Sequence, residues 1–245
     1  APAPASAPGP CCNSSNNDSS SPGSNGSGRS KSKMNGSSSD SGIAISAIGV
    51  GRAHTCALSA DSTAYCWGTT AGALLCGPSA CGVAPAPVGD RKYGELAVGT
   101  RHACALDAAG AAYCWGWNSF GQATVPNGLA GVSAVGAGRF HSLARMSDGT
   151  VVTWGDNSRG QTNVPGSLAN VAAIAAGGDH NLALKSDGTV VGWGYNDQGQ
   201  VTIPSNLNNI TAIAAGYSHA VALKSDGTVV AWGGNVTGQG NVPPL

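Results

Sequence analysis

Histidines stand at positions 54, 102, 141, 180 and 219, and Trp-Gly pairs begin at 67, 115, 154, 193 and 232, so both series run with spacings of 48, 39, 39 and 39. Gly-Gln pairs begin at 121, 160, 199 and 238 in the same register. A unit of this length cannot bury an apolar face by itself, so the chain must stack copies of one small element against each other. Five units follow, at about 43–88, 89–129, 130–168, 169–207 and 208–245. The nine additional residues of the first unit fall after its Trp-Gly, around LLCGPSACG.

Within a unit, as in ITAIAAGYSHAVALKSDGTVVAWGGNVTGQGNVPPL, a strand ends in Ala-Gly, a short turn holds the His, and a hairpin follows. The hairpin closes on Ser-Asp-Gly in the last three units, a three-residue loop whose glycine (Gly149, Gly188, Gly227, with Gly110 in unit two) takes the left-handed bulge position. Short strands with turn signals every 8 to 12 residues fit one propeller blade, and the 3.6-residue periodicity of a helical repeat is missing. The expected fold is all-β: five propeller-type blades forming a closed ring, an open arc, or a ring completed by a neighbouring subunit. With 38 glycines and 5 % aromatic residues, its core must be built mainly from Val, Ile, Leu and Ala.

Four of the eight cysteines repeat a pattern, H-T-C-A-L with Y-C-W-G and then H-A-C-A-L with Y-C-W-G. A three-residue loop centred on residue 61 places Cys56 opposite Cys66, and one centred on Ala109 places Cys104 opposite Cys114. Opposed Cβ atoms in an antiparallel pair approach to disulfide reach, so two cross-strand disulfides are expected. Later units hold Leu143 with Thr153, Leu182 with Gly192, and Val221 with Ala231 at those places. Cys76 and Cys81 would close a small loop in the insert, and Cys11 and Cys12 would form a vicinal bridge or a link to another chain. A zinc site is the rival, but paired C-x-x-C spacing is absent. The even count implies an oxidising compartment, extracellular or at the cell surface.

Residues 1–42 form a low-complexity tail holding 14 Ser, 6 Gly, 5 Pro and 5 Asn. Such a segment has too little apolar surface to offset the entropy of ordering itself. Its opening APAPASAPGP favours an extended polyproline helix. N-x-S/T sequons at Asn13, Asn17, Asn25 and Asn35 mark it as a glycan carrier, and two more, at Asn209 and Asn235, lie in the repeats. The chain begins at Ala1 with neither an initiator methionine nor an apolar leader, which reads as a processed mature protein or a fragment, the former being the expectation.

Twelve basic residues balance twelve acidic ones, so no net field collects nucleic acid or an anionic membrane, and no apolar run is long enough to span one. Glu95 is the single glutamate beside eleven aspartates, a thin stock for acid–base chemistry. No Ser-His-Asp spacing, H-E-x-x-H or phosphate loop stands out. Neither a catalytic group, a cofactor nor a metal is expected. The five histidines are read as satisfying backbone groups in their turns rather than as a ring of metal ligands, and the Gln side chains as tying adjacent loops together.

The pattern A-x-G-x-x-H-x-x-A-L-K-S-D-G-T-V-x-x-W-G-x-N-x-x-G-Q resembles the repeat of the regulator of chromosome condensation (RCC1) superfamily. Units such as IAAGGDHNLALKSDGTVVGWGYNDQGQVTIP are especially similar to its secreted bacterial β-lactamase-inhibitor branch. The resemblance implies propellers of seven blades, so five units depart from it and favour assembly with another chain. It also implies guanine-nucleotide exchange or chromatin binding, against which the expected disulfides and zero net charge weigh. The first ten residues resemble hydroxyproline-rich cell-wall glycoproteins, under which Pro2, Pro4, Pro8 and Pro10 are hydroxylation candidates.

Function on a face should use the positions that vary between units: Trp117, Phe120, Arg139, Phe140, Asp156, Arg159, Asp179, Tyr195, Asp197 and Tyr217. Aromatics beside arginine are the chemistry of protein interfaces. The expected function is a non-catalytic extracellular structural or assembly glycoprotein module, such as a filament or matrix subunit that associates with itself or with another extracellular protein. The alternative is a secreted binding or inhibitor propeller acting through those loops.

Overall fold

The computed structural model describes residues 44–52, 54–68, 83–85 and 91–243. The tail, with Cys11, Cys12, Asn13, Asn17, Asn25, Asn35, Pro2, Pro4, Pro8 and Pro10, and the insert cysteines Cys76 and Cys81 lie outside the described residues. The first unit contributes β1 (Ile45–Val50), β2 (His54–Ser59), β3 (Ala64–Gly68) and β4 (Val83–Pro85), and the second β5 (Tyr93–Val98), β6 (His102–Asp107) and β7 (Ala112–Gly116). The third holds β8 (Val132–Ala137), β9 (His141–Met146) and β10 (Val151–Gly155), and the fourth β11 (Val171–Ala176), β12 (His180–Lys185) and β13 (Val190–Gly194). The fifth holds β14 (Ile210–Ala215), β15 (His219–Lys224) and β16 (Val229–Gly233).

Each unit is one antiparallel meander, giving a four-stranded sheet β1-β2-β3-β4 and four three-stranded sheets. The hairpin register is the one that the loop spacing dictates: Cys56 faces Cys66, Cys104 faces Cys114, Leu143 faces Thr153, Leu182 faces Gly192, and Val221 faces Ala231. Both facing cysteine pairs are disulfide-bonded. Glycines 110, 149, 188 and 227 hold the left-handed turn position with φ of 78° to 88°, and Ser62 holds it in the first unit at 69°. The turns also join successive units, because the Gly110 and Gly149 carbonyls accept from the amides of Val132 and Val171.

The core lies between sheets, not within one. Each sheet packs on the next in chain order. The middle strand of a blade carries small residues on one face, such as Ala103 with Ala105 or Ala220 with Ala222, and larger ones on the other, such as Cys56 with Leu58 or Leu182 with Leu184. The large face of one blade receives the small face of the next, as Leu182 and Leu184 do with Ala220 and Ala222. Burial of such faces supplies about 25 cal/mol for each Å² withdrawn from water, which explains how a chain this poor in aromatics holds together.

Among the described residues no blade precedes the first or follows the fifth, and each end of the stack exposes one large apolar side chain. Leu223 of the fifth sheet is 39 % exposed, whereas Leu58, Leu106 and Leu184 at its place are buried. At the other end Trp67 is 45 % exposed, while its counterparts Trp154, Trp193 and Trp232 are buried at 5 % to 9 %.

Candidate functional site

Each blade enters its central strand through a Gly-x-x-His turn, in which the glycine amide donates to the histidine carbonyl, as Gly138 does to His141 at 2.9 Å. The imidazole lies directly over the glycine Cα. A Cβ on Gly138 would meet the His141 ring at 2.2 Å, and Gly177 stands in the same relation to His180. Two of the rings reach forward to the next blade instead of satisfying their own turn, which corrects the expected role. His102 Nε2 lies 2.8 Å from Ser142 Oγ, and His141 Nε2 lies 2.8 Å from Asn181 Oδ1. Ser142 Oγ and Asn181 Nδ2 themselves donate onward to the Gln122 and Gln161 carbonyls, so both histidines must be the donors and carry the proton on Nε2.

Burial holds all five imidazoles below their ordinary pKa: His102 falls to about 3, with His141 and His54 adding repulsion, and His180 falls to about 4. They are neutral at physiological pH. Among the described residues no group of three or more His, Cys, Asp or Glu side chains is arranged to hold a metal ion.

The Gly-Gln pairs supply the joints, though by main chain rather than side chain. The indole N–H groups of Trp154, Trp193 and Trp232 donate to the carbonyls of Gln122, Gln161 and Gln200 in the preceding blade, at 2.9 Å, 3.1 Å and 3.1 Å. The Gln amides stay inside their own loops, each side-chain oxygen accepting from the amide two residues earlier. Asn118, Asn157, Asn196 and Asn235 close the same loops by accepting from the amide five residues on.

The variable positions lie on the rim formed by these loops. The histidine turn and the loop after the Trp-Gly pair are held side by side in the second to fifth blades by one backbone bond: Trp117 to Arg101, Asp156 to Phe140, Tyr195 to Asp179, and Gly234 to Ser218. The Phe120 and Phe140 ring centroids are 5.1 Å apart. The Arg139 guanidinium covers Phe140 at 4.7 Å and Tyr217 at 5.8 Å, and pairs with Asp179 at 3.4 Å. This patch draws on four successive blades, and Phe120 is 49 % exposed at its edge. A second cluster places Arg159 over Tyr195 at 4.6 Å, with the Tyr195 hydroxyl donating to Asp197.

Two nominated residues stand apart from these clusters. Asp156 is consumed in its own loop, where it accepts from the Ser158 amide, the Ser158 hydroxyl and the Gln161 amide. Trp117 lies under Arg101 at 5.1 Å, a residue that sequence reasoning did not nominate although it occupies the same turn as Arg139. Asn235 is exposed, with its amide nitrogen donating to Asn241, and Asn209 is exposed in a left-handed conformation at φ 54°.

The regulator of chromosome condensation (RCC1) repeat matches five stretches, residues 45–69, 95–122, 132–161, 171–200 and 210–239. The chain belongs to the RCC1 repeat family. No curated protein matches it significantly. Among solved structures, yeast RCC1 (Prp20) bound to Kap60 is similar at a TM-score of 0.66 and 22 % identity, over 82 % of this chain and 58 % of that one. The ectodomain of the Physcomitrella patens receptor kinase CR4 gives 0.67 and 27 %, over 82 % and 55 %. The CRINKLY ectodomain of the Arabidopsis thaliana receptor kinase ACR4 gives 0.64 and 25 %, over 79 % and 70 %. The chain thus spans well under two thirds of the yeast RCC1 (Prp20) chain and of the Physcomitrella patens CR4 ectodomain. No helix among the described residues is long and apolar enough to cross a membrane.

Proposed function

We propose that this chain is a non-catalytic extracellular assembly module, a glycoprotein subunit of a filament or matrix. The observation that carries the reading is the pair of unpartnered blade faces at the ends of the stack, marked by Trp67 and Leu223. An apolar sheet face with open edges is a surface for another polypeptide. Two disulfides favour an oxidising compartment, and two receptor-kinase ectodomains of similar fold are compatible with an extracellular setting. The Pro- and Ser-rich tail, with its sequons, fits a glycan carrier. Negative-stain electron microscopy and mass measurement on native, unreduced protein test this. Filaments carrying excess mass support it, and discrete particles at the polypeptide mass of 23.9 kDa sink it.

The rim favours a second reading, capture of a protein partner through the patch around Arg139. Aromatic rings capped by a paired arginine are the residue types that dominate interface energetics. Phe120→Ala and Arg139→Ala would then weaken capture by tenfold or more in a pull-down, about 1.4 kcal/mol or above, while leaving assembly unchanged.

A further inference from the structure

The two end faces are the separated halves of the joint that recurs inside the stack. Where the second blade meets the third, and the third meets the fourth, the joint has four parts. A histidine and a Gln carbonyl stand on the leading blade, and a hydrogen-bonding residue opposite a Trp stands on the following one. Ser142 faces Trp154 across its hairpin, and Asn181 faces Trp193. Each of these side chains and its Trp donate to one shared carbonyl, that of Gln122 or Gln161. The first blade carries the following half complete: Thr55 faces Trp67 in the same register, and no blade precedes them among the described residues.

The fifth blade carries the leading half complete. His219 is half-buried where the four earlier histidines are buried, and Gln239 is half-buried where Gln122, Gln161 and Gln200 are buried. The Gln239 loop is already folded like the others, its side-chain oxygen accepting from the Thr237 amide and Asn235 from the Gly240 amide. Val221 and Leu223 stand where Leu182 and Leu184 receive the next blade, and Ala57 stands where Ala222 is received.

The geometry points to a second copy of this chain as the occupant of both faces, joined head to tail. Trp67 and Thr55 of one copy donate to the Gln239 carbonyl of another, His219 donates to Thr55, and Leu223 is covered by the incoming blade; Ala57 is already buried at 2 % and contributes no new burial. The choice of a second copy follows from polarity: each end lacks what the opposite end of the same chain supplies, in the same register and with the same donor and acceptor types. A joint between unlike surfaces does not close on itself as a twofold dimer does, so copies add in one direction, into an open chain unless the rotation closes a ring. This joint rests on the assembly reading and specifies its surface.

The test uses the full chain and two variants, Trp67→Glu at the head and Leu223→Lys at the tail, both at exposed positions, with folding checked by near-ultraviolet circular dichroism. Light scattering is followed through the micromolar range. The wild type is expected to grow to twice the monomer mass and beyond, and each variant alone to stay monomeric. An equimolar mixture of the two should reach twice the monomer mass and stop, because one intact head meets one intact tail. If the wild type assembles but both variants do so equally, the assembly reading survives and this joint is wrong. If the wild type stays monomeric throughout, both are wrong.

Discussion

Acidification from pH 8 to pH 5 is expected to remove about 4 kcal/mol of stability through His102 and His180 alone. In the unfolded chain each imidazole titrates at its ordinary 6.5, whereas in the folded chain burial holds His102 at about 3 and His180 at about 4. The folded pKa lies below the unfolded one, so the unfolded chain takes up protons that the folded chain refuses. The stabilisation is complete above the unfolded value and declines as pH falls toward the folded ones, at about 1.4 kcal/mol per pH unit for each ring. Between 6.5 and 5 that is about 2 kcal/mol per histidine. His54 and His141, also lowered by burial, push in the same direction. The depressed carboxyls of Asp61, Asp148, Asp187 and Asp226 do not titrate in this window in either state. Guanidinium unfolding followed by tryptophan fluorescence at the two pH values measures the difference, and His102→Gln should reduce it by about half. Equal unfolding free energies at pH 8 and pH 5 would refute the reasoning.

Three other perturbations probe the packing. Trp154→Phe removes the indole bond to the Gln122 carbonyl and should cost about 1 kcal/mol by denaturant titration, since Ser142 still serves that acceptor. Gly138→Ala puts a methyl group into the His141 ring and should cost more than about 2 kcal/mol, whereas Gly166→Ala, with no atom near its Cβ, should stay within about 0.5 kcal/mol. Replacing Cys104 and Cys114 together by Ala opens an 11-residue loop and should cost about 2.5 kcal/mol under oxidising conditions, and much less relative to reduced wild type, where only the packing of the buried sulfurs is lost.

The hairpins were legible because a three-residue loop fixes which residue numbers face each other, and the cysteine pairs follow from that arithmetic. The Gly-x-x-His motif was legible as a repeat but not in its action, since the ring's partner lies one blade away at Ser142 or Asn181. The Gln122 carbonyl was illegible for a plainer reason: a main-chain acceptor leaves no residue signature. Its traces are the side chains that point at it: the repeated Trp, and beside it Ser142 in one blade and Asn181 in another, replaced by Ala220 in the last. On the rim, variability selected Phe120 and Phe140, whose rings meet, and Arg139, which lies over Phe140. It also selected Asp156, which varies because its own loop uses it, and it passed over Arg101.

The disulfides sit in the first two blades, and among the described residues the fifth blade has neither a staple nor a following blade. A stack bonded only between nearest neighbours behaves as a one-dimensional array, in which opening starts where a unit has fewest partners. The molecule therefore has a grain: thermal fraying runs inward from β16, and amide exchange should slow blade by blade toward the cystine-bearing end. A growing filament of such units would present a firm end and a yielding one, so subunit exchange would be faster at one tip than at the other.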